Sequence, residues 1–390
     1  MIDESFTYTG LPARVVFGMG TLARVPSEAD HLAITRALVL TTPQQAEHGR
    51  AVVDKLGDRA AGLFSGAVMH TPIDVTEAAL GVVRELAANG VVAIGGGSTI
   101  GLGKAIAVRT GLPQIAIPTT YAGSEMTPIL GETYAGQKTT RKSLDILPET
   151  VIYDVDLTLG LPAALSGTSG INAIAHAVEA LYAQDRNPIT SLLAEQGIAA
   201  LARALPAIVT DPHDRSARSD ALYGAWLCAV CLGSVGMALH HKLCHVLGGT
   251  FDLPHAETHT ALLPHAVAYN APAAPTQMAR IARALAREGT SPSPLARPSR
   301  EIDARPAAAR RTAQVEAPDA SDPGDAALAL YDLAGAIGAR RSLAELGMPA
   351  DGLDRAADLA VQTPYGNPRP LDRAAIRELL ERAFTGAPPR

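Results

Sequence analysis

The stretch VVAIGGGSTIGLGKAIA, residues 91–107, constrains the fold more than any other part of the chain. A β-branched apolar run ends in Gly95, Gly96 and Gly97, and from Ser98 onward the apolar spacing becomes that of a helix carrying Lys104. A strand that turns through glycines into a helix lets the backbone approach a ligand closely. The helix start then offers unpaired N–H groups and a partial positive charge to a pyrophosphate. Two common phosphate templates do not fit. The G-x-G-x-x-G fingerprint needs glycine where Ile100 stands, and the P-loop needs glycine where Ser98 stands. A plain tight turn is the alternative, and three glycines followed by a hydroxyl favour phosphate binding over it.

Around this stretch, β-rich runs at 13–17, 36–42, 62–66 and 112–120 alternate with helical segments. That order predicts a parallel sheet covered on both faces, with its ligand site beyond the strands' carboxyl ends. From Pro162 the pattern turns helical. The expected fold is α/β plus all-α: a Rossmann-like dinucleotide-binding domain over 1–160, then an α-helical catalytic domain over 161–390. A second loop, PTTYAGSEMT (118–127), follows an apolar strand and brings Thr119, Thr120, Tyr121 and Ser124 toward the nicotinamide or ribose. Thr42 ends the second strand, where an acidic residue would bind the adenosine ribose. A neutral residue there does not repel a 2′-phosphate, so both NADH and NADPH are expected. With Gly95, Gly96, Gly97, Ser98 and Lys104, these residues make up the expected cofactor site. Residues 288–325, rich in Pro, Ser, Ala and Arg, read as a flexible surface insertion.

A length of 390 residues suits two domains, and 47% hydrophobic with 18% charged residues is a globular composition. The net charge of −6 and the lack of like-charged blocks argue against nucleic-acid or membrane partners. The opening MIDESFTYTG reads as no secretory leader, and no unbroken apolar run approaches the roughly 20 residues of a membrane span. Cys228 and Cys231 form a CxxC within apolar helical sequence and read as reduced core thiols. A cytoplasmic location is the expectation.

Four of the eleven histidines are spaced for chemistry. Asn172 and His176 share a helix face, as do His241 and His245, and His255 follows after a glycine turn. Such a set can gather nitrogen ligands around a metal. It can also act without one, as proton donors or as cations facing an anionic substrate. A satisfied core histidine is the ordinary reading of any one of them; four in this arrangement favour a reaction centre.

Together, FGMG (17–20), GGGS with Lys104 six residues on, N-x-x-x-H and H-x-x-x-H-x9-H resemble the iron-containing alcohol dehydrogenase superfamily, which includes glycerol dehydrogenase and dehydroquinate synthase. The resemblance covers almost the whole chain outside about 290–325. Within the superfamily it runs to the maleylacetate reductases, on AVMHTP (67–72), GGGSTIGL, TTYAGSEMTPI and PYGNPRPL (364–371). Metal-dependent members carry Asp where this chain has Gly101 and a metal-binding Asp where it has Asn172. The resemblance implies reduction of the double bond of maleylacetate to 3-oxoadipate with NADH or NADPH, in the bacterial breakdown of aromatic compounds. It also implies a homodimer and no required metal. His241 and His245 would stabilise and protonate the enolate, with His176, His255 and Asn172 shaping the pocket. A metal, if bound, would sit on His176, His241 and His255. Lys242, Arg141, Lys142 and Arg369 are candidates for the substrate carboxylates, and nothing in the sequence decides among them. The main rival is a metal-dependent alcohol or polyol dehydrogenase of the same superfamily. A zinc-dependent sugar-phosphate cyclase and a nucleotide-binding protein without activity rank below it.

Overall fold

Residues alternate in direction along a strand, so a strand covered on both faces must be apolar throughout. Strands β2 (Ala37–Leu40) and β4 (Gly90–Gly95) show this in a computed structural model that describes residues 6–134, 137–286 and 325–390. Val39, Val92 and Ile94 pack on one side with Val25, Ala29 and Val52. Leu38, Leu40, Val91 and Ala93 pack on the other with Leu80, Val83, Leu102 and Ile106. The first layer comes from helices α1 (Val25–His31) and α2 (Ala46–Leu56), the second from α3 (Ile73–Glu85) and α4 (Gly97–Thr110).

Four further strands complete a six-stranded, all-parallel sheet: β1 (Arg14–Gly18), β3 (Ala60–Phe64), β5 (Gln114–Pro118) and β8 (Thr150–Asp154). Its order is β1-β8-β5-β4-β2-β3. The chain steps from β2 outward to β3, then returns to the other side of β2 as β4. A crevice therefore opens between the carboxyl ends of β2 and β4, where such sheets hold ligands. Thr42 and the Gly95–Ser98 turn both lie there. A separate antiparallel hairpin, β6 (Ile129–Tyr134) and β7 (Gln137–Lys142), follows the second loop.

After β8 the described chain is helical: α5 (Ala163–Tyr182), α6 (Pro188–Thr210), α7 (Arg215–Ser234), α8 (Leu239–Phe251), α9 (His255–Asn270), α10 (Pro275–Leu285), α11 (Asp325–Ala336), α12 (Gly352–Val361) and α13 (Arg373–Thr385). Among the described residues one helix, α6, is long and apolar enough to cross a membrane, and it packs against α5 and α7 in the core. At Gly197 and Gly224 the α6 and α7 backbones meet so closely that a Cβ on Gly224 would lie 3.0 Å from the Gly197 carbonyl oxygen. Cys228 and Cys231 are buried, unpaired thiols on α7. The insertion expected at 288–325 lies outside the described residues apart from Asp325, which begins α11.

Candidate active site

The glycine turn is built for close approach. A Cβ on Gly95 would lie 2.5 Å from Thr99 Oγ1 and 2.9 Å from Gln45 Oε1, so only glycine fits there. On Gly96 it would lie 3.2 Å from Thr120 Cγ2, which places the second loop directly against the first. Gly96 caps the 14-residue helix α4 with no side-chain hydrogen bond, and Gly96, Gly97 and Ser98 are half-exposed. The start of α4 thus presents backbone donors and a positive dipole end to an anion. Gln45 donates through Nε2 to Thr119 Oγ1 at 2.9 Å and ties the crevice wall to the second loop. Sequence reasoning passed over this glutamine.

Two expected cofactor contacts need correcting. Tyr121 is fully buried; its N–H donates to Ser169 Oγ at 3.0 Å and its hydroxyl lies 3.5 Å from Arg218 Nη1. Lys104 is also fully buried, with its ammonium enclosed by oxygens of residues 124–129. Both side chains point into the protein because their helix and loop pack against other elements. Ser124 is bound to Lys104 through its carbonyl and hydroxyl oxygens.

Beyond the crevice, α5 carries Asn172, His176 and Glu179, spaced to share one helix face. Helices α7 and α8 meet at 93°, which aims the α8 N-terminus at that face. Glu179, fully buried, accepts hydrogen bonds from the N–H groups of Ala238 (2.8 Å), His240 (2.8 Å) and His241 (3.4 Å). Its Oε2 also takes the His241 Nδ1 hydrogen bond at 2.7 Å. One carboxylate therefore caps α8, where the helix dipole favours a negative charge, and turns His241 so that Nε2 is left for chemistry.

The histidines form one cluster. Ring centroids lie 5.1 Å apart for His176–His241, 6.5 Å for His241–His245 and 4.4 Å for His255–His259. His176 and His241 are buried, whereas His245 and His255 are exposed. Asn172 Oδ1, His176 Nδ1 and His241 Nε2 are buried and make no hydrogen bond within the described residues. A buried polar atom without a partner calls for an explanation, and three gathered on one cluster are accounted for by a bound ligand, ion or water. Behind them lies a chain the sequence reading missed: His240 Nε2 is 2.9 Å from His259 Nδ1 and 3.7 Å from Cys244 Sγ.

Burial, reinforced by neighbouring imidazoles, holds His176, His240 and His259 well below the usual histidine pKa, and it pushes the Cys244 thiol up. The three imidazoles are therefore neutral in the fold. In the unfolded chain they titrate near pH 6.5, so below that pH the unfolded state binds more protons. Stability is present above about 6.5 and is lost as pH falls, by about 1.4 kcal/mol per pH unit for each group. The thermal midpoint, followed by circular dichroism, is expected to fall steeply from pH 6.5 to 5. A flat profile would mean that the cluster takes up protons while folded.

Of the candidates for anion binding, Arg369 lies over the Tyr269 ring at 4.3 Å and donates to the Tyr269 carbonyl at 3.2 Å. Arg141 and Lys142 are exposed on β7, and Lys242 is half-buried beside His241 on α8.

Residues 12–155 match the profile of the iron-containing alcohol dehydrogenases, and residues 166–384 match the C-terminal profile of the Fe-containing alcohol dehydrogenase family. The chain is 53% identical over 384 residues to a maleylacetate reductase of Sphingobium indicum, covering 98% of this chain and 99% of the relative. It is 51% identical to that of Rhizobium sp. strain MTP-10005, covering 99% of each. The crystal structure of maleylacetate reductase from Agrobacterium tumefaciens superposes with a TM-score of 0.88 at 52% identity, covering 99% of this chain and 100% of that one.

Proposed function

The chain belongs to the iron-containing alcohol dehydrogenase family, and from that premise we propose that it reduces the carbon–carbon double bond of maleylacetate to give 3-oxoadipate, with NADH or NADPH as hydride donor. The observation that carries the chemistry is the Glu179–His241 pair at 2.7 Å, with the buried His241 Nε2 left without a hydrogen-bond partner among the described residues.

The bound nicotinamide supplies a hydride to the alkene carbon β to the ketone. The protein must then stabilise charge on the ketone oxygen and protonate the neighbouring carbon. His241 suits both tasks. Glu179 fixes its orientation through Nδ1 and supplies the negative charge that an imidazolium needs, which leaves Nε2 to donate. His245 and His255, on the open side of the cluster, are placed to meet a dicarboxylate, with His245 assisting at the enolate. Neutral His176 and Asn172 line the buried side without adding negative charge. The α4 N-terminus, Gly96–Ser98 and Thr120 take the cofactor, with Thr42 at the adenosine end.

The family is named for iron. Here a dication would be held by His176, His241 and His255, with Asn172 as a neutral oxygen donor. Three imidazoles are a sufficient set for zinc, and an ion there would polarise the ketone oxygen. We propose that reduction does not require it. The support is Asn172, a neutral amide where metal-dependent members of the family carry a carboxylate; family membership itself gives this reading no support. We also propose a cytoplasmic homodimer with no nucleic-acid or membrane partner. The buried, unpaired thiols suit a reducing compartment, and light scattering on the purified protein tests the dimer.

The decisive assay follows NADH absorbance with maleylacetate, simple aldehydes and glycerol. Rapid oxidation with maleylacetate is expected, and it should persist after chelation with metal well below one ion per chain. Turnover of aldehydes but not maleylacetate would replace the substrate. Stoichiometric iron or zinc whose removal abolishes turnover would end the metal-free reading.

A further inference from the structure

Lys104 lies nearly two helix turns beyond the glycine turn it was expected to serve, yet its ammonium faces the second loop. Nζ is bonded to the carbonyl of Ser124. It lies 3.4 Å from Ser124 Oγ, 2.8 Å from the Thr127 carbonyl, 2.9 Å from Thr127 Oγ1 and 3.0 Å from the Ile129 carbonyl. The N–H donors of Nζ thus meet five oxygens, three of them carbonyls that can only accept. Among the described residues no carboxylate touches Nζ. Glu125, also fully buried, accepts from the Tyr153 hydroxyl at 2.8 Å and acts on Lys104 through its charge alone. Burial without an ion-pair partner is expensive for an ammonium, and it pulls Lys104 down to about 7, against the pull of Glu125. A cost of that size at a position that packing alone does not demand points to a use.

The use lies in what the loop touches. On one side Thr120 packs on Gly96 and Thr119 is held by Gln45. On the other, Gly123 sits in the left-handed region (φ 82°), and a Cβ there would lie 3.5 Å from His176 Cε1. The loop is therefore the floor between the cofactor turn and the histidine cluster, and Lys104 joins it to the helix that starts at the cofactor turn. We propose that Lys104 is a positioning residue: its buried ammonium locks the 119–129 loop onto helix α4 and so sets the affinity for NAD(P)H without touching the cofactor. This rests on the dinucleotide reading above.

The test compares the parent protein with Lys104→Met, which keeps the length and removes the charge. The readouts are NADH dissociation constant by fluorescence, turnover at saturating NADH, and thermal midpoint. Lys104→Met is expected to weaken NADH by about tenfold or more, with turnover at saturation affected less. A merely structural lysine would lower the midpoint and leave NADH affinity unchanged well below it; that result overturns the proposal. Thr127→Val removes one oxygen of the five at nearly constant shape and serves if Lys104→Met does not fold. It should weaken NADH by about threefold, and unchanged affinity would likewise overturn the proposal. A parent protein that binds no NADH would instead remove the dinucleotide reading itself.

Discussion

Glu179→Gln lowers turnover of maleylacetate by about a hundredfold or more while NADH affinity stays close to the parent's. The side chain keeps its size, so the helices can still pack, but two of its functions change. A carboxylate accepts from the Ala238, His240 and His241 N–H groups and from His241 Nδ1 together. An amide has one acceptor oxygen, and its NH2 would face a donor. His241 then either rotates or changes tautomer, and the imidazolium loses its counter-charge. Glu179→Ala adds a structural failure. It leaves several N–H groups at the α8 start buried and unpaired, at a cost of about 3–5 kcal/mol, and is expected to lower the thermal midpoint as well. Steady-state kinetics with separately measured NADH affinity check the claim. If Glu179→Gln retains near-parent turnover, His241 is not the acid and His245 or His255 must take that role.

The part of this site that could be read in advance is the part whose signal is local. Gly95–Ser98 stands out because an apolar strand, a glycine turn and a helix follow one another within a few residues, and β4 and α4 occupy that stretch. The helical half is legible for the same reason. β7 is not, because QKTTRK has no apolar face of its own and pairs only with its neighbour. β8, TVIYD, is short and has no helix pattern directly before it, so nothing local marks it as the strand between β1 and β5. Side-chain direction was the harder failure. Spacing placed Lys104 and Tyr121 near the cofactor loops but could not say that both turn inward. Glu179 did carry a signal. It is an acid inside the apolar run INAIAHAVEALYA, three residues after His176, and an unpaired acid is rarely buried without a purpose. His240 and His259 had none, since adjacent histidines give no hint of which faces inward.

Asn172→Asp should change the chemistry of the centre more than any other single atom replacement. Asn172 is buried, and its Oδ1 makes no hydrogen bond within the described residues. An ionised carboxylate there would be buried beside the histidine cluster, where a negative charge is costly until something positive joins it. A dication does this best, because three imidazoles then gain the anionic ligand they lack. Affinity for zinc or iron is expected to rise by about a hundredfold or more, read by equilibrium dialysis. Without metal the same charge repels both the dicarboxylate and the enolate, so maleylacetate turnover should fall by about a hundredfold. The two readouts separate the alternatives. If metal affinity does not change, residue 172 does not face the imidazoles. If turnover is undiminished without metal, the charge at 172 does not govern the reaction, and the reductase character must come from the loop around Tyr121 and from Gly101 on α4. If both change as expected, the amide nitrogen that stands at residue 172 in place of a carboxylate oxygen supports the proposal that reduction here does not require a metal.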